Sequence, residues 1–244
     1  MTSTIDRIAH SNRWRSRSLV EKSALAFGLL AVSLAFPPWP TAAGVLAVAF
    51  AAALAAGVSP GAWVRVMAPP LGFVLTGAAT LLVSVGADGI ALAPDGLSAA
   101  AALTLRASAA TAALLLLALT TPATDLVAAL ARLKVPAEIV ELALLVYRFL
   151  FVLADTLAAM QAAQEARLGH VGWRRRIRSS GLIAAALLPR AMDRARRLET
   201  GLAARGWSGG SLRVLTRRAP VSTAGLSAVA ATLLALVLLG MTTR

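Results

Sequence analysis

Five apolar stretches are spread along the chain, and short segments that hold most of the charged residues separate them. They cover residues 24–36, 41–58, 70–86, 97–120 and 222–241. Each is close to, or a little below, the ~20 residues that an α-helix needs to cross ~30 Å of hydrocarbon. The shorter stretches are rich in alanine and glycine, which allow membrane helices to pack closely. The pattern predicts an all-α, polytopic membrane protein with about five transmembrane helices.

Long amphipathic segments replace this pattern between the fourth and fifth apolar stretches. Residues 137–168 have helical periodicity, but charged residues interrupt them, and an unpaired charge is costly near the bilayer centre. We interpret this segment as a helix in or under the inner membrane interface. The next segment begins with the basic cluster 174–178, and Pro189 is expected to kink or restart its helix. The sequence thus predicts a cytoplasmic module of long amphipathic helices before the last span.

The distribution of basic residues predicts the orientation and the organisation of the chain. The 24 lysines and arginines exceed the 11 acidic residues, for a net charge of +13, and they concentrate on one set of loops. By the positive-inside rule we expect the N-terminus to be cytoplasmic. The expected location is the bacterial inner membrane. The predicted divisions are a basic arm (1–22), a four-helix transmembrane region (23–121), the amphipathic module (122–212), and a basic loop with the last span (213–244).

Composition also limits the chemistry of the chain. It has no cysteine and only two histidines, His10 and His170, so no metal site or cofactor is predicted for it. A membrane enzyme such as a lipid transferase needs clustered carboxylates or a phosphate loop, whereas the acidic residues here are scattered. Nucleic-acid binding is disfavoured because the positive charge flanks membrane spans. We therefore predict a non-enzymatic membrane protein.

Two similar Ala-Arg elements end the two amphipathic segments. The first contains Ala166 and Arg167, and the second is Ala204, Arg205 and Gly206. Gly169 and Gly206 are expected to take the left-handed conformation that closes a helix. An arginine in a last helical turn also offsets the helix dipole, so simple helix capping explains each element by itself. Their repetition on the cytoplasmic side favours docking into soluble partners.

Other charged residues lie in apolar surroundings. Arg106 lies within the fourth apolar stretch, and we expect a structural role for it, by pairing or by bonding to backbone oxygens at a helix interface. Glu141, Arg148 and Asp155 repeat at heptad spacing. A proton or ion path is one interpretation of that stripe. Pairing that orients the amphipathic helix against its neighbours is the interpretation we prefer.

Three segments in order carry a family resemblance: LTTPATDLVAALARLKVP, ELALLVYRFLFVLADTLAAMQAAQEARLG and GLAARGW. Over roughly residues 103–207 the chain resembles the transmembrane coupling subunit (T component) of energy-coupling-factor transporters, and within that family the cobalt-type subunit CbiQ. The resemblance implies two long coupling helices that end in Ala-Arg-Gly or Ala-Arg-Ser and insert into two ATP-binding subunits. It also implies a separate membrane-embedded subunit that holds the substrate, cobalt or nickel.

Carried over to this sequence, the resemblance assigns ATPase coupling to the two Ala-Arg ends. Ala204, Arg205 and Gly206 match the family motif fully. In the first element Leu168 follows Ala166 and Arg167, and Gly169 comes one place late. The alternative is the permease of a conventional ABC importer, because MQAAQEARLGH resembles a coupling-loop motif. The spacing of its glycine does not fit that motif.

Overall fold

The computed structural model describes residues 4–86, 89–133, 135–169, 171–207 and 220–243. Those residues form nine α-helices and one two-stranded hairpin. The helices are α1 (Thr4–Ser11), α2 (Leu19–Ala35), α3 (Ala43–Ala55), α4 (Pro60–Thr80), α5 (Gly96–Thr120), α6 (Ala123–Leu130), α7 (Ala137–Ala166), α8 (Trp173–Ala203) and α9 (Thr223–Met241). The strands are β1 (Val83–Gly86) and β2 (Gly89–Leu92), which are antiparallel.

The described residues divide into two compact units. Residues 4–126 and 220–243 form the first, which we call the membrane unit. Residues 127–207 form the second, which we call the coupling unit and which contains α7 and α8.

Helix α5 is the central element of the membrane unit. It packs against α1, α2, α3 and α4, while α9 packs against α2. Much of the core consists of small side chains, and Ala49, Ala53, Ala109, Ala112 and Ala113 are fully buried. Alanine brings neighbouring helix backbones close together, which increases dispersion contacts where no hydrophobic effect drives association. The composition of the apolar stretches is thus the cause of this tight packing.

Four helical segments among the described residues are long and apolar enough to cross a membrane: Pro38–Ala55, Pro60–Thr80, Gly96–Thr120 and Thr223–Met241. The apolar helix α2 has 17 residues, or about 26 Å, slightly less than the hydrocarbon thickness. The prediction of an all-α, polytopic membrane protein is confirmed.

The third apolar stretch differs from its predicted extent. Helix α4 begins at Pro60, ten residues before the predicted stretch, and it ends at Thr80. Residues 83–86 then pair with 89–92, so that Val83 lies opposite Leu92. The β-branched residues Val83, Val85 and Ile90 favour a strand over a helix end. The predicted extent of this stretch, residues 70–86, is therefore wrong at both ends.

The coupling unit consists mainly of an antiparallel pair of helices. Near the connecting loop, Ser179 of α8 donates a hydrogen bond to the Gln164 side chain of α7 (3.3 Å). Far from the loop, α7 residues 145–152 lie across a cavity from α8 residues 194–198. Pairing of early positions in one helix with late positions in the other shows that the helices run in opposite directions.

Pro189 lies inside α8, and the helix continues through it from Trp173 to Ala203. Of the two effects expected at Pro189, a kink or a restart, the restart is therefore wrong. A proline removes one backbone hydrogen bond and crowds the preceding turn, and the other bonds of this 31-residue helix maintain it across that position.

Candidate functional site

The first Ala-Arg element closes α7 through two backbone hydrogen bonds. The N–H of Gly169 donates to the carbonyl of Gln164 (2.8 Å), and the N–H of Leu168 donates to the carbonyl of Glu165 (2.9 Å). This pair of bonds is a Schellman motif, in which one residue takes the left-handed conformation. That residue is Leu168, with a φ of 57°.

The expectation that Gly169 is the left-handed residue is therefore wrong. Gly169 is required for a different reason, which is close contact with α8. A Cβ added at Gly169 would lie 2.6 Å from the hydroxyl oxygen of Ser179 and 3.0 Å from the carbonyl oxygen of Gln164. The Ser179 hydroxyl donates to the carbonyl of Gly169 (3.1 Å) and is buried. The glycine thus allows the first end to pack against α8.

The second Ala-Arg element closes α8 in the same way. The N–H of Trp207 donates to the carbonyl of Leu202 (3.1 Å), and the N–H of Gly206 donates to the carbonyl of Ala203 (2.9 Å). Gly206 has a φ of 79°. It takes the left-handed position that the sequence predicted for it, where glycine avoids the clash of a Cβ with the backbone.

The two ends are in register when aligned on the left-handed residue. Ala166 and Arg167 precede Leu168 just as Ala204 and Arg205 precede Gly206. Both arginines are exposed, and each follows the last turn of a helix, where unpaired carbonyls leave a partial negative charge. The first element is therefore a full structural copy of the second, and it differs only in having leucine where glycine is favoured.

The antiparallel arrangement places these two ends far apart. Arg167 lies at the loop end of the helix pair, and Arg205 lies at the open end. Helix α8 has 31 residues and a length of about 46 Å if straight. The coupling unit thus presents two equivalent, exposed, positively charged helix ends at opposite tips.

The charged stripe on α7 does not form direct pairs within itself. Seven residues separate Glu141 from Arg148 and Arg148 from Asp155, which is about 10 Å along a helix. Arg148 and Asp155 are exposed, whereas Glu141 is partly exposed. Arg148 faces α8, where it shares a cavity with Arg194 and Arg197. The role of the stripe in orienting α7 remains a prediction.

Arg106 connects two helices of the membrane unit. Its Nη2 donates a hydrogen bond to the carbonyl oxygen of Phe36 (3.0 Å), the residue that follows α2. Its Nε is buried and has no hydrogen-bond partner among the described residues. The guanidinium thus satisfies a carbonyl at the end of α2 and joins α2 to α5.

Three polar residues near the N-terminus make similar contacts that sequence reasoning missed. The side chains of Asn12 and Lys22 donate to the carbonyl of Thr120, at the end of α5 (3.2 and 3.1 Å). The carboxylate of Glu21 accepts from the N–H of Ser222 (2.7 Å), at the start of α9. Asn12, Glu21 and Lys22 are all buried, and they satisfy orphan backbone groups at helix ends. In the sequence, the signal for these contacts was the charged pair Glu21 and Lys22, which comes just before the first apolar stretch.

No group of three or more histidine, cysteine, aspartate or glutamate side chains that could hold a metal occurs among the described residues. His10 contacts the carbonyl oxygen of Asp6 through Nδ1 (2.8 Å). Parts of the sequence predictions lie outside the described residues: His170, Lys134 of the segment that ends in LKVP, and residues 213–219 of the predicted basic loop.

Comparison with known proteins gives consistent matches over most of the chain. A family model described as "Cobalt transport protein" (CbiQ) matches residues 11–216. The "Cobalt transport protein CbiQ" of Rhodobacter capsulatus is 52% identical over 223 residues, which make up 90% of this chain and 90% of that protein. A Salmonella typhimurium protein of the same description is 28% identical over 211 residues, 81% of this chain and 94% of that protein.

A further relative is longer than this chain. A Methanocorpusculum labreanum protein described as a fused cobalt transport protein CbiMQ is 29% identical over 172 residues. The match covers 66% of this chain and 29% of that protein. The segment matched by the family model includes both Ala-Arg ends.

Proposed function

Since this chain belongs to the CbiQ family of cobalt transport proteins, we propose that it couples ATP hydrolysis to transport in an energy-coupling-factor importer. In this proposal it is the transmembrane coupling subunit and has no catalytic activity of its own. Cytoplasmic ATP-binding cassette subunits hydrolyse ATP, and a separate membrane-embedded subunit binds cobalt or nickel. The proposed coupling-helix module extends over residues 122–212 and includes the coupling unit.

The pair of matched helix ends is the observation that carries this proposal. A dimer of ATPase subunits offers two equivalent docking sites, one on each subunit. The coupling unit offers two equivalent ends, with Arg167 and Arg205 at the same backbone position in each. Both arginines are exposed, so each guanidinium is available to a carboxylate or a helix end of a partner. The separation of the ends suits contact with two different subunits.

The mechanism follows from rigid helices that are held at both tips. When the ATPase subunits close around ATP, they carry the ends at Arg167 and Arg205 with them. Helices α7 and α8 are in direct contact, so movement of their tips changes the angle at which they cross. Ser179 and Gly169 hold the loop end together, which transmits that movement along the pair. The substrate-binding subunit then reorients.

A second membrane subunit is supported by the fused relative. The chain matches only 29% of the length of the protein described as CbiMQ, so a related sequence is joined there to further protein. We propose that the corresponding partner of this chain is a separate subunit. We place the chain in the bacterial cytoplasmic membrane, and the distribution of basic residues supports an N-terminus in the cytoplasm.

The test is co-expression of the chain with ATPase subunits and a membrane-embedded substrate-binding subunit. We expect Arg205→Glu and Arg167→Glu each to reduce co-purification of the ATPases and to abolish cobalt uptake. Arg196→Glu is the matched control, because Arg196 is exposed on α8 away from both ends and undergoes the same charge change. This variant is expected to co-purify with the ATPases and to support cobalt uptake as the wild type does.

Two outcomes would contradict the proposal. If both end variants keep their ATPases and full uptake, the helix ends are not the coupling contacts. If this chain and ATPases alone transport cobalt without a third subunit, the chain acts as a conventional permease.

A further inference from the structure

A cleft between α7 and α8 combines three arginines with apolar side chains. Its volume is about 210 Å³. From α7 it is lined by Leu145, Arg148, Phe149 and Val152. These are the i, i+3, i+4 and i+7 positions that share one helix face. Arg194 and Arg197 line it from α8. The cleft lies within the coupling unit and away from the Ala-Arg ends.

The charges of this lining do not cancel. Three arginines border one small space, and no described residue that lines the space is acidic. The nearest carboxylates in sequence are Glu141 and Asp155, each seven residues from Arg148; Asp193, beside Arg194 and four residues before Arg197; and Glu199, two residues after Arg197. None of them lines the cleft. Like charges repel at short range, so an anion between the three arginines would stabilise the arrangement. Guanidinium groups bind phosphate oxygens with paired, charge-assisted hydrogen bonds.

The apolar part of the surroundings indicates what kind of anion fits. Beside the cleft, α7 exposes an apolar stripe of Ile139, Leu142, Val146 and Leu150, each more than half exposed. A free inorganic anion gains nothing from such a stripe, whereas an acyl chain gains burial along it. The cleft is also smaller than the ~300 Å³ at which pockets for drug-sized ligands begin, which fits a headgroup phosphate better than a nucleotide.

We propose that this cleft binds the headgroup of an anionic membrane phospholipid, with its phosphodiester between Arg148, Arg194 and Arg197. The acyl chains lie along the exposed apolar stripe of α7. The bound lipid joins α7 to α8 and attaches the helix pair to the membrane interface. This site does not depend on ATPase coupling, and it goes beyond the proposed function.

The test is native mass spectrometry of the full chain in detergent, titrated with phosphatidylglycerol or with phosphatidylcholine of the same acyl chains. Wild type is expected to retain one phosphatidylglycerol and to bind phosphatidylcholine far more weakly. The triple variant Arg148→Gln, Arg194→Gln, Arg197→Gln is expected to lose about a hundredfold in affinity, since each basic residue near anionic lipid contributes about fivefold. The control triple Arg175→Gln, Arg190→Gln, Arg196→Gln removes the same charge outside the cleft and should change affinity by less than about threefold.

A charge-neutral variant keeps the test decisive if the triple variant fails to fold. Val152→Trp fills the cleft and retains all three arginines, so it is expected to exclude the lipid. Equal losses in the two triple variants, or full binding by Val152→Trp, would overturn the site. Displacement of the lipid by millimolar inorganic phosphate would assign a free anion instead. A photocrosslinker at position 152 that labels a partner protein in the assembled transporter, and not lipid, would also overturn the proposal.

Discussion

Arg167 and Arg205 occupy the same position in two Schellman motifs at opposite ends of an antiparallel helix pair. Each arginine comes directly before the left-handed residue, and in each motif the next two N–H groups donate to carbonyls of the last helical turn. Because the backbone geometry matches, the two guanidinium groups leave their helices in equivalent settings. The leucine in the first motif does not disturb this equivalence, but it does have a cost in stability.

Replacing Leu168 by glycine is expected to stabilise the first end. A non-glycine residue in the left-handed region carries a steric cost of roughly 1–2 kcal/mol, and Leu168 has a φ of 57°. The added flexibility of glycine in the unfolded chain offsets part of that gain. We expect the Leu168→Gly variant to show slower amide hydrogen exchange than the wild type at positions 168 and 169. Faster exchange there would show that the exposed leucine side chain stabilises this end through contacts of its own.

Replacing Gly169 by alanine is expected to destabilise the contact between the first end and α8. The added methyl group would meet the Ser179 hydroxyl and the carbonyl oxygen of Gln164 at sub-van der Waals distances. Overpacking of this kind costs about 1–3 kcal/mol. The measurement is the thermal unfolding midpoint in detergent.

A second substitution tests the cause of that loss. Combining Gly169→Ala with Ser179→Gly removes the nearest clashing atom. The double variant should therefore lose less stability than the two single variants lose in sum, which is a positive coupling in the double-mutant cycle. Strict additivity of the two substitutions would contradict the close contact.

Replacing Arg106 by methionine is expected to weaken the join between α2 and α5. Methionine keeps a long side chain but cannot donate to the carbonyl of Phe36, and loss of this part-buried hydrogen bond from a charged donor costs about 1.5–3 kcal/mol. The same change at Arg65, which is exposed on α4, serves as the control and should shift stability by less than about 0.5 kcal/mol. Thermal unfolding of both variants in one detergent checks the difference. Equal midpoints would mean that the hydrogen bond to Phe36 contributes no net stability.

The features that sequence predicted well are those set by local chemistry. The helix end at Gly206 follows from glycine after a helical Ala-Arg, and the apolar stretches follow from the length of hydrocarbon that a helix must cross. Partners distant in sequence were not predictable in the same way. Arg106 and Phe36 are 70 residues apart, and Lys22 and Thr120 are 98 residues apart. A single sequence shows that Arg106 needs a partner, but not which carbonyl supplies it.

The wrong prediction at Gly169 shows a second limit. Glycine is used where φ is positive and also where two backbones must approach closely, and sequence does not separate these uses. At Gly206 the first reason applies, because an added Cβ would meet nothing within 4 Å. At Gly169 the second reason applies, and Leu168 takes the strained conformation. Tertiary packing against Ser179 decided between two neighbouring residues.

The conformation of Gly206 leads to the last prediction, in which one chemical change has opposite effects at two sites on the same helix. Gly206→Ala is expected to lower stability by about 1 kcal/mol, because alanine is strained at a φ of 79°. Gly181→Ala is expected to raise it by roughly 0.5–1 kcal/mol, because Gly181 lies inside α8 and alanine favours helix. An added Cβ meets nothing within 4 Å at either site, so packing does not contribute to the difference. Thermal unfolding midpoints of the two variants in the same detergent check the opposite signs. A stabilising Gly206→Ala would show that α8 continues past Ala203 without the left-handed end, and it would remove the structural equivalence between Arg205 and Arg167.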